Sequence, residues 1–90
     1  MENDVIKKLA SLGIQNQLDQ TQEECAELIA AISKYRRRHD TKALDGLIEE
    51  IADVTIMIRQ LYWLIDAKTI EAKVREKLAR SRERLENGTI

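Results

Sequence analysis

The sequence predicts an all-α fold, a bundle of about four helices, and three observations predict it. The 90 residues contain no proline and only three glycines, and Ala, Glu, Lys, Leu, Ile and Arg dominate, the residues that favour helix. Apolar side chains recur at steps of three and four along most of the chain, the spacing of one helix face. Helix punctuation falls at Gly13, at the 38–41 junction, at Asp66 and at Gly88, leaving segments of helical length between. Ninety residues make one domain, read here as a single unit over 1–90.

The first segment, "NDVIKKLASL" at 3–12, is a short amphipathic helix carrying Val5, Ile6, Leu9 and Leu12 and ended by Gly13. With so few anchors it is expected to be loosely held. The second helix is expected from about 15 to 37, with Leu18, Cys25, Ile29, Ile32 and Arg36 on one stripe and Leu28 on its shoulder. "RRRHDTK" breaks that pattern, and Thr41 is a candidate N-cap for the third helix, about 42–64. That helix carries Leu44, Leu47, Ile51, Val54, Ile58, Leu61 and Ile65 on its main stripe, while Ile56, Met57, Trp63 and Leu64 lie outside it. A helix apolar on more than one side is buried on more than one side. Four short helices cannot surround it, which implies a helical partner, most simply a second copy of the chain. Asp66 can cap a fourth helix, about 67–86, with Gly88 near its C-cap.

Composition excludes several classes. Net charge is −1 and the pI about 5.8, which argues against a general nucleic-acid binder. No apolar run approaches the roughly 20 residues a membrane span requires, and "MENDVIKKLASLG" lacks the apolar core of a signal peptide. The one cysteine, Cys25, cannot form an internal disulfide and suits a reducing compartment. Cytoplasm is the expected location.

The acids carry the functional signal. In "TQEECAELIAAI", Glu23, Glu24 and Glu27 crowd one side of a helix, and like charges at i,i+3 and i,i+4 repel by a few tenths of a kcal/mol per pair. "LIEEIADVTIMI" repeats the pattern with Glu50 and Asp53. At about 100° per residue, each pair flanks a secondary face, lined by Ala30 and Ala31 on one helix and by Met57 and Leu64 on the other. Positions 28, 31, 54 and 57 hold Leu, Ala, Val and Met, so neither pair has the i+4 base of a solvated, salt-bridged face. Brought together, Glu24, Glu27, Glu50 and Asp53 would repel unless some were protonated or a hard divalent cation sat among them. Mg²⁺ takes oxygen ligands and is commonly completed by substrate phosphates; Mn²⁺ is the second choice.

"QLDQTQEECAELIAAISKYRR" followed by "ALDGLIEEIADVTIMI" resembles the MazG-like branch of the all-α nucleoside triphosphate pyrophosphohydrolases. The family's signature is an ExxE on one helix and an ExxD on the next, matched here by Glu24 and Glu27, then Glu50 and Asp53. The resemblance covers about 14–86. It implies a bundle completed by homodimerisation, often as a homotetramer, and Mg²⁺-dependent hydrolysis of a nucleoside triphosphate to monophosphate and pyrophosphate, in nucleotide-pool house-cleaning. It implies metal ligation by the four acids, a base role for Glu23, and phosphate contacts from the last helix. There Lys77 and Arg80 are the first candidates, Lys73 and Arg84 the others.

Lys73, Lys77, Arg80 and Arg84 also form one basic face that Glu71, Glu76 and Glu83 could simply neutralise. Trp63 is read as partner-facing core, with base stacking the minor alternative. Gln17, one turn before the acids, reads as an exposed amide or as a reader of a base edge. Cys25 reads as core and His39 as surface. The competing functions are a phosphoribosyl-ATP pyrophosphatase-like enzyme and a non-enzymatic helical dimerisation or interaction module whose acids are merely exposed.

Overall fold

A computed structural model describes residues 2–89. Four α-helices follow in order: α1 (Glu2–Ala10), α2 (Ile14–Arg38), α3 (Thr41–Leu61) and α4 (Ala67–Asn87), with a π-helical turn, Tyr62–Asp66, between α3 and α4. The fold is therefore all-α, and no strand occurs among the described residues.

The boundaries have local causes. Gly13 takes φ 108°, a left-handed value that favours glycine, and it turns the chain from α1 into α2. His39 closes α2 with φ 50° while its backbone N–H donates to the Tyr35 carbonyl. The cap of α3 is Asp40, whose Oδ1 accepts from the Ala43 N–H at 2.8 Å. Thr41, the expected cap, is instead the first helical residue: a carboxylate one position earlier reaches the free N–H groups of the first turn. Asp66 caps α4 as expected, accepting from the Thr69 N–H and from its hydroxyl at 2.7 Å. The third helix was expected to reach residue 64, but its regular part ends at Leu61 and the last turn widens to π geometry before Asp66 breaks it.

The two-residue link between α2 and α3 makes them an antiparallel hairpin, and this hairpin is the principal packing contact of the chain. Its inner seam only partly coincides with the stripes the sequence suggested, sharing Leu18, Cys25, Leu28, Leu47 and Val54 with them. On α2 the buried and half-buried positions are Gln17, Leu18, Thr21, Glu24, Cys25, Leu28, Ala31 and Tyr35. On α3 they include Ala43, Leu47, Glu50, Val54, Met57 and Gln60. Both are helical seams at three- and four-residue steps, but they run through the acids. The more apolar stripes face outward: Ile29, Ile32, Leu44, Ile51, Ile58 and Ile65 are all exposed.

Among the described residues, the fully buried apolar ones are Ala10, Ala43 and Met57. Helix α1 lies against α3 and the π turn; Glu2 pairs with Arg59, and the Lys7 ammonium sits 4.5 Å from the centre of the Trp63 ring. The short first helix is thus attached at both ends. Helix α4 touches chiefly the π turn and buries none of its residues. The radius of gyration is 16.2 Å, against about 12 Å for a compact chain of this length. No helix among the described residues is long and apolar enough to cross a membrane.

Candidate metal centre

The hairpin seam places carboxylates from two helices opposite each other. Glu24 and Glu27 stand one turn apart on α2, and Glu50 faces them from α3, so that one oxygen of each lies within 4.8 Å of the others. Asp53, the fourth expected ligand, is at the rim: it is exposed, its charge acts on Glu50, and it lines a small cavity with Glu24. Of the four acids singled out from the sequence, three converge and the fourth is adjacent.

The electrostatics show an uncompensated cluster. Burial pushes the Glu50 carboxyl above the usual carboxylate range, the charges of Glu27, Asp53 and Glu24 push it further, and a hydrogen bond with Glu27 adds to the effect. No arginine or lysine contributes in the opposite direction. The Oε1 of Glu24 accepts from Gln20 Nε2 at 2.9 Å, which holds that side chain. The Oε2 atoms of Glu24 and Glu50, however, are shielded from solvent and have no hydrogen-bond partner. Orphaned acceptors are costly, and charged ones more so.

The donor set is all carboxylate oxygen, from three groups close enough to share one ion. That is the chemistry of a hard divalent cation such as Mg²⁺, and it is unlike the nitrogen and sulfur sets that select zinc. The acids therefore fit the metal that the sequence suggested.

The other expected site residues are placed differently. Glu23 is on the exposed side of the same α2 turn and outside the converging group. Lys73 pairs with Glu76 at 2.9 Å, and Arg80 approaches the same carboxylate at 3.7 Å. Among the described residues no ion pair links Lys73, Lys77 or Arg80 to the acidic centre. Trp63 is 57% exposed and lines a cleft of about 640 Å³ between α1, α3 and the start of α4. That cleft holds none of the clustered acids, and ten residues of helix separate Trp63 from Asp53, about 15 Å along the axis. Base stacking by Trp63 at its own chain's acids is not supported by this placement. Cys25 is half-buried and free, and His39 is exposed beside the Tyr35 ring.

Gln17, read as an exposed amide, is buried, and with it Gln60. Gln17 Nε2 donates to Gln60 Oε1 across the hairpin. Gln60 has no counterpart among the residues singled out from sequence. The available signal was the seam itself: stepping back from Glu24 by three and four gives Thr21 and Gln17, and forward from Glu50 gives Val54, Met57 and Gln60.

Comparison of the chain with family models, with curated proteins and with solved structures returns no match. The functional reading consequently rests on the acids, their geometry and the motif resemblance.

Proposed function

We propose that this chain is a Mg²⁺-dependent nucleoside triphosphate pyrophosphohydrolase, able to use Mn²⁺, that works as a homodimer or homotetramer. The observation that carries the reading is the convergence of Glu24, Glu27 and Glu50 from two helices, with two solvent-shielded oxygens left unpartnered. The ordered ExxE and ExxD motifs support the same reading. Glu24, Glu27 and Glu50 would hold the ion, with Asp53 at the rim as a further carboxylate.

A bound divalent ion supplies charge neutralisation for the triphosphate and lowers the pKa of water at the site. The chain's own acids do the rest. Gln20 fixes the Glu24 carboxylate by its hydrogen bond. Glu23, exposed on the same turn, is the candidate acceptor of the proton that water gives up as it attacks the phosphoryl centre and pyrophosphate departs with the bonding electrons. Such transfers need positioning and charge neutralisation more than covalent machinery. The basic face of α4 can assist only from a second copy, because its own chain does not bring it to the acids.

The second copy is supported by area. The chain exposes 7177 Å², whereas a compact monomer of this mass exposes about 5,400 Å². Large apolar side chains are exposed on its helices, Ile29, Ile51, Ile58 and Leu78 among them. A non-enzymatic helical interaction module would account for those stripes equally well. It leaves the shielded, unpartnered carboxylate oxygens without a reason.

The decisive experiment is a panel of ribo- and deoxynucleoside triphosphates with Mg²⁺, read by pyrophosphate release. Release that disappears in Glu50→Gln supports the hydrolase. No release from any nucleotide, with a melting temperature indifferent to Mg²⁺, selects the interaction module.

A further inference from the structure

Next to the carboxylates, a smaller cavity of about 280 Å³ opens between α1 and the hairpin. Glu24 and Asp53 form its edge on the acidic side, and Leu9, Ile56 and Met57 supply apolar wall. Gln17 and Gln60 also line it. These two amides are the most unusual side chains of the interior, 6% and 1% exposed in a chain with very little buried apolar surface.

Burying a primary amide is unfavourable unless its donors and acceptors are matched. The pair is matched only in part. Gln17 Nε2 donates to Gln60 Oε1, and Gln60 Nε2 reaches no better acceptor than the Met57 sulfur at 3.5 Å. The Gln17 side-chain carbonyl oxygen accepts no side-chain or backbone hydrogen bond among the described residues, and it is not one of the atoms shut off from solvent. Gln17 lines a cavity of mixed apolar and polar wall, and an amide with one acceptor and one donor to spare is a matched counterpart for the adjacent donor and acceptor of a nucleobase edge. Small-molecule sites have this composition: apolar walls and a few placed polar groups. The cavity's contact with Glu24 and Asp53 puts such a base on the flank of the acids that would manage its phosphates.

We propose that this cavity is the nucleobase pocket and that Gln17, held in place by Gln60, is the residue that discriminates between bases. The proposal rests on the nucleotide reading above and adds a specificity determinant to it. Gln60 is a positioning residue: it fixes the Gln17 amide and thereby which of its atoms meets the base.

Two measurements test it, one of which needs no turnover. The ratio of kcat/KM between the best and worst of the four deoxynucleoside triphosphates is compared in wild type, Gln17→Leu and the double variant Gln17→Leu/Gln60→Leu. The double variant guards against misfolding, because replacing both partners of a buried hydrogen bond by apolar groups is far milder than orphaning one. A bidentate amide contact predicts that the ratio collapses by about 10- to 100-fold in both variants, chiefly through loss on the best base. A wild-type ratio within twofold of unity, or a ratio the variants leave unchanged, overturns the proposal. In parallel, the Gln17 side-chain amide resonances are followed by NMR during titration with the four nucleoside 5′-monophosphates and with ribose 5-phosphate. Base-dependent shifts absent with ribose 5-phosphate support the pocket even where no triphosphate releases pyrophosphate, an outcome that sinks the hydrolase reading alone. Resonances indifferent to every monophosphate overturn the pocket while leaving hydrolysis to stand or fall on its own assay.

Discussion

The outward-facing stripe of α3 makes a quantitative prediction about self-association. The chain's 7177 Å² of accessible surface exceeds that of a compact monomer of its mass by about 1,800 Å². Two protomers covering that excess against each other would remove about 3,600 Å² in total, within the range of obligate homodimers. Ile51 is central to the stripe and 50% exposed, with Leu44 and Ile58 two turns to either side at 39% and 40%.

Burying a whole isoleucine side chain is worth about 1.5–3 kcal/mol, so covering the exposed half of Ile51 contributes about 1 kcal/mol. A two-fold interface counts it twice. Ile51→Ala should therefore weaken the dimer by about 2 kcal/mol, a rise in Kd of roughly 30-fold. Sedimentation equilibrium across a dilution series measures this directly: wild type should run at a multiple of the 10.4 kDa chain mass, with Ile51→Ala dissociating at higher concentration. Ile51→Glu, which strands a charge on the apolar contact, should give monomer throughout. A wild-type protein that is monomeric and fully helical at tens of micromolar would refute the reasoning, since the exposed stripe would then be stable in water without a partner.

The acidic centre predicts that removing one carboxylate steadies the metal-free protein: Glu50→Gln should melt higher than wild type in EDTA, lose the Mg²⁺-induced rise in Tm, and lose pyrophosphate release by about 100-fold or more. Because burial and neighbouring acids raise the Glu50 pKa, the native chain holds that proton in a pH range where the unfolded chain has lost it. Stability in EDTA should accordingly fall as pH rises from the ordinary glutamate range through the raised value, and saturating Mg²⁺ should flatten that slope in denaturant titrations. The Asp66 carboxyl is held below the usual range by the Thr69 hydroxyl and N–H, so its contribution is present above the ordinary aspartate value and lost as pH falls through the native one; Asp66→Asn should blunt the acid limb of helicity measured by circular dichroism. Asp40→Ala removes the α3 cap at the head of the hairpin and should cost about 1 kcal/mol, read as a fall in the denaturation midpoint with unchanged slope.

Much of this arrangement was legible in the sequence, and the exceptions share one cause. Helix number and ends followed from Gly13, Asp66, Gly88 and the periodic segments, and the misplacement of the α3 cap by one residue is a local matter of which oxygen reaches the first turn. The convergence of Glu24, Glu27 and Glu50 was readable from two i,i+3 pairs in consecutive helices. The expected stripes were right only in part about which face is inside: Leu18, Cys25, Leu28, Leu47, Val54 and Leu61 are half-buried, whereas Ile29, Ile32, Leu44, Ile51 and Ile58 face outward. Periodicity reports where apolar residues cluster, and on α2 and α3 the strongest stripes are Ile29 with Ile32 and Ile51 with Ile58. The chain instead pairs the helices through Gln17, Thr21, Glu24, Met57 and Gln60. A hydrophobic stripe identifies a surface that must be covered; it does not say whether the cover comes from the same chain. Buried amides such as Gln17 and Gln60 escape the same reading, because polar residues contribute nothing to an apolar period.

That division of faces has an energetic consequence. The intrachain seam is rich in polar groups, with acids that repel and an amide pair matched only in part; among the described residues of α2 and α3 it fully buries the apolar side chains of Ala43 and Met57 and half-buries Leu18, Cys25, Leu28, Leu47 and Val54. Hydrophobic burial is the main term that offsets chain entropy, so the seam alone is a weak reason for the hairpin to hold. Helix α4, with no buried residue, lacks even that support, and an isolated helix of about 20 residues is only marginally stable in water. Two contributions outside the single chain can make up the difference: a cation among the carboxylates, and a second copy on the exposed stripes. Each binds the folded form and not the unfolded one, so each adds to apparent stability by mass action. The melting temperature should therefore climb both with Mg²⁺ at fixed protein concentration and with protein concentration at fixed Mg²⁺. Ile51→Glu should abolish the second dependence without removing the first. Loss of both together would mean that the acidic centre forms only when the stripes are covered, and that the two surfaces act as one site.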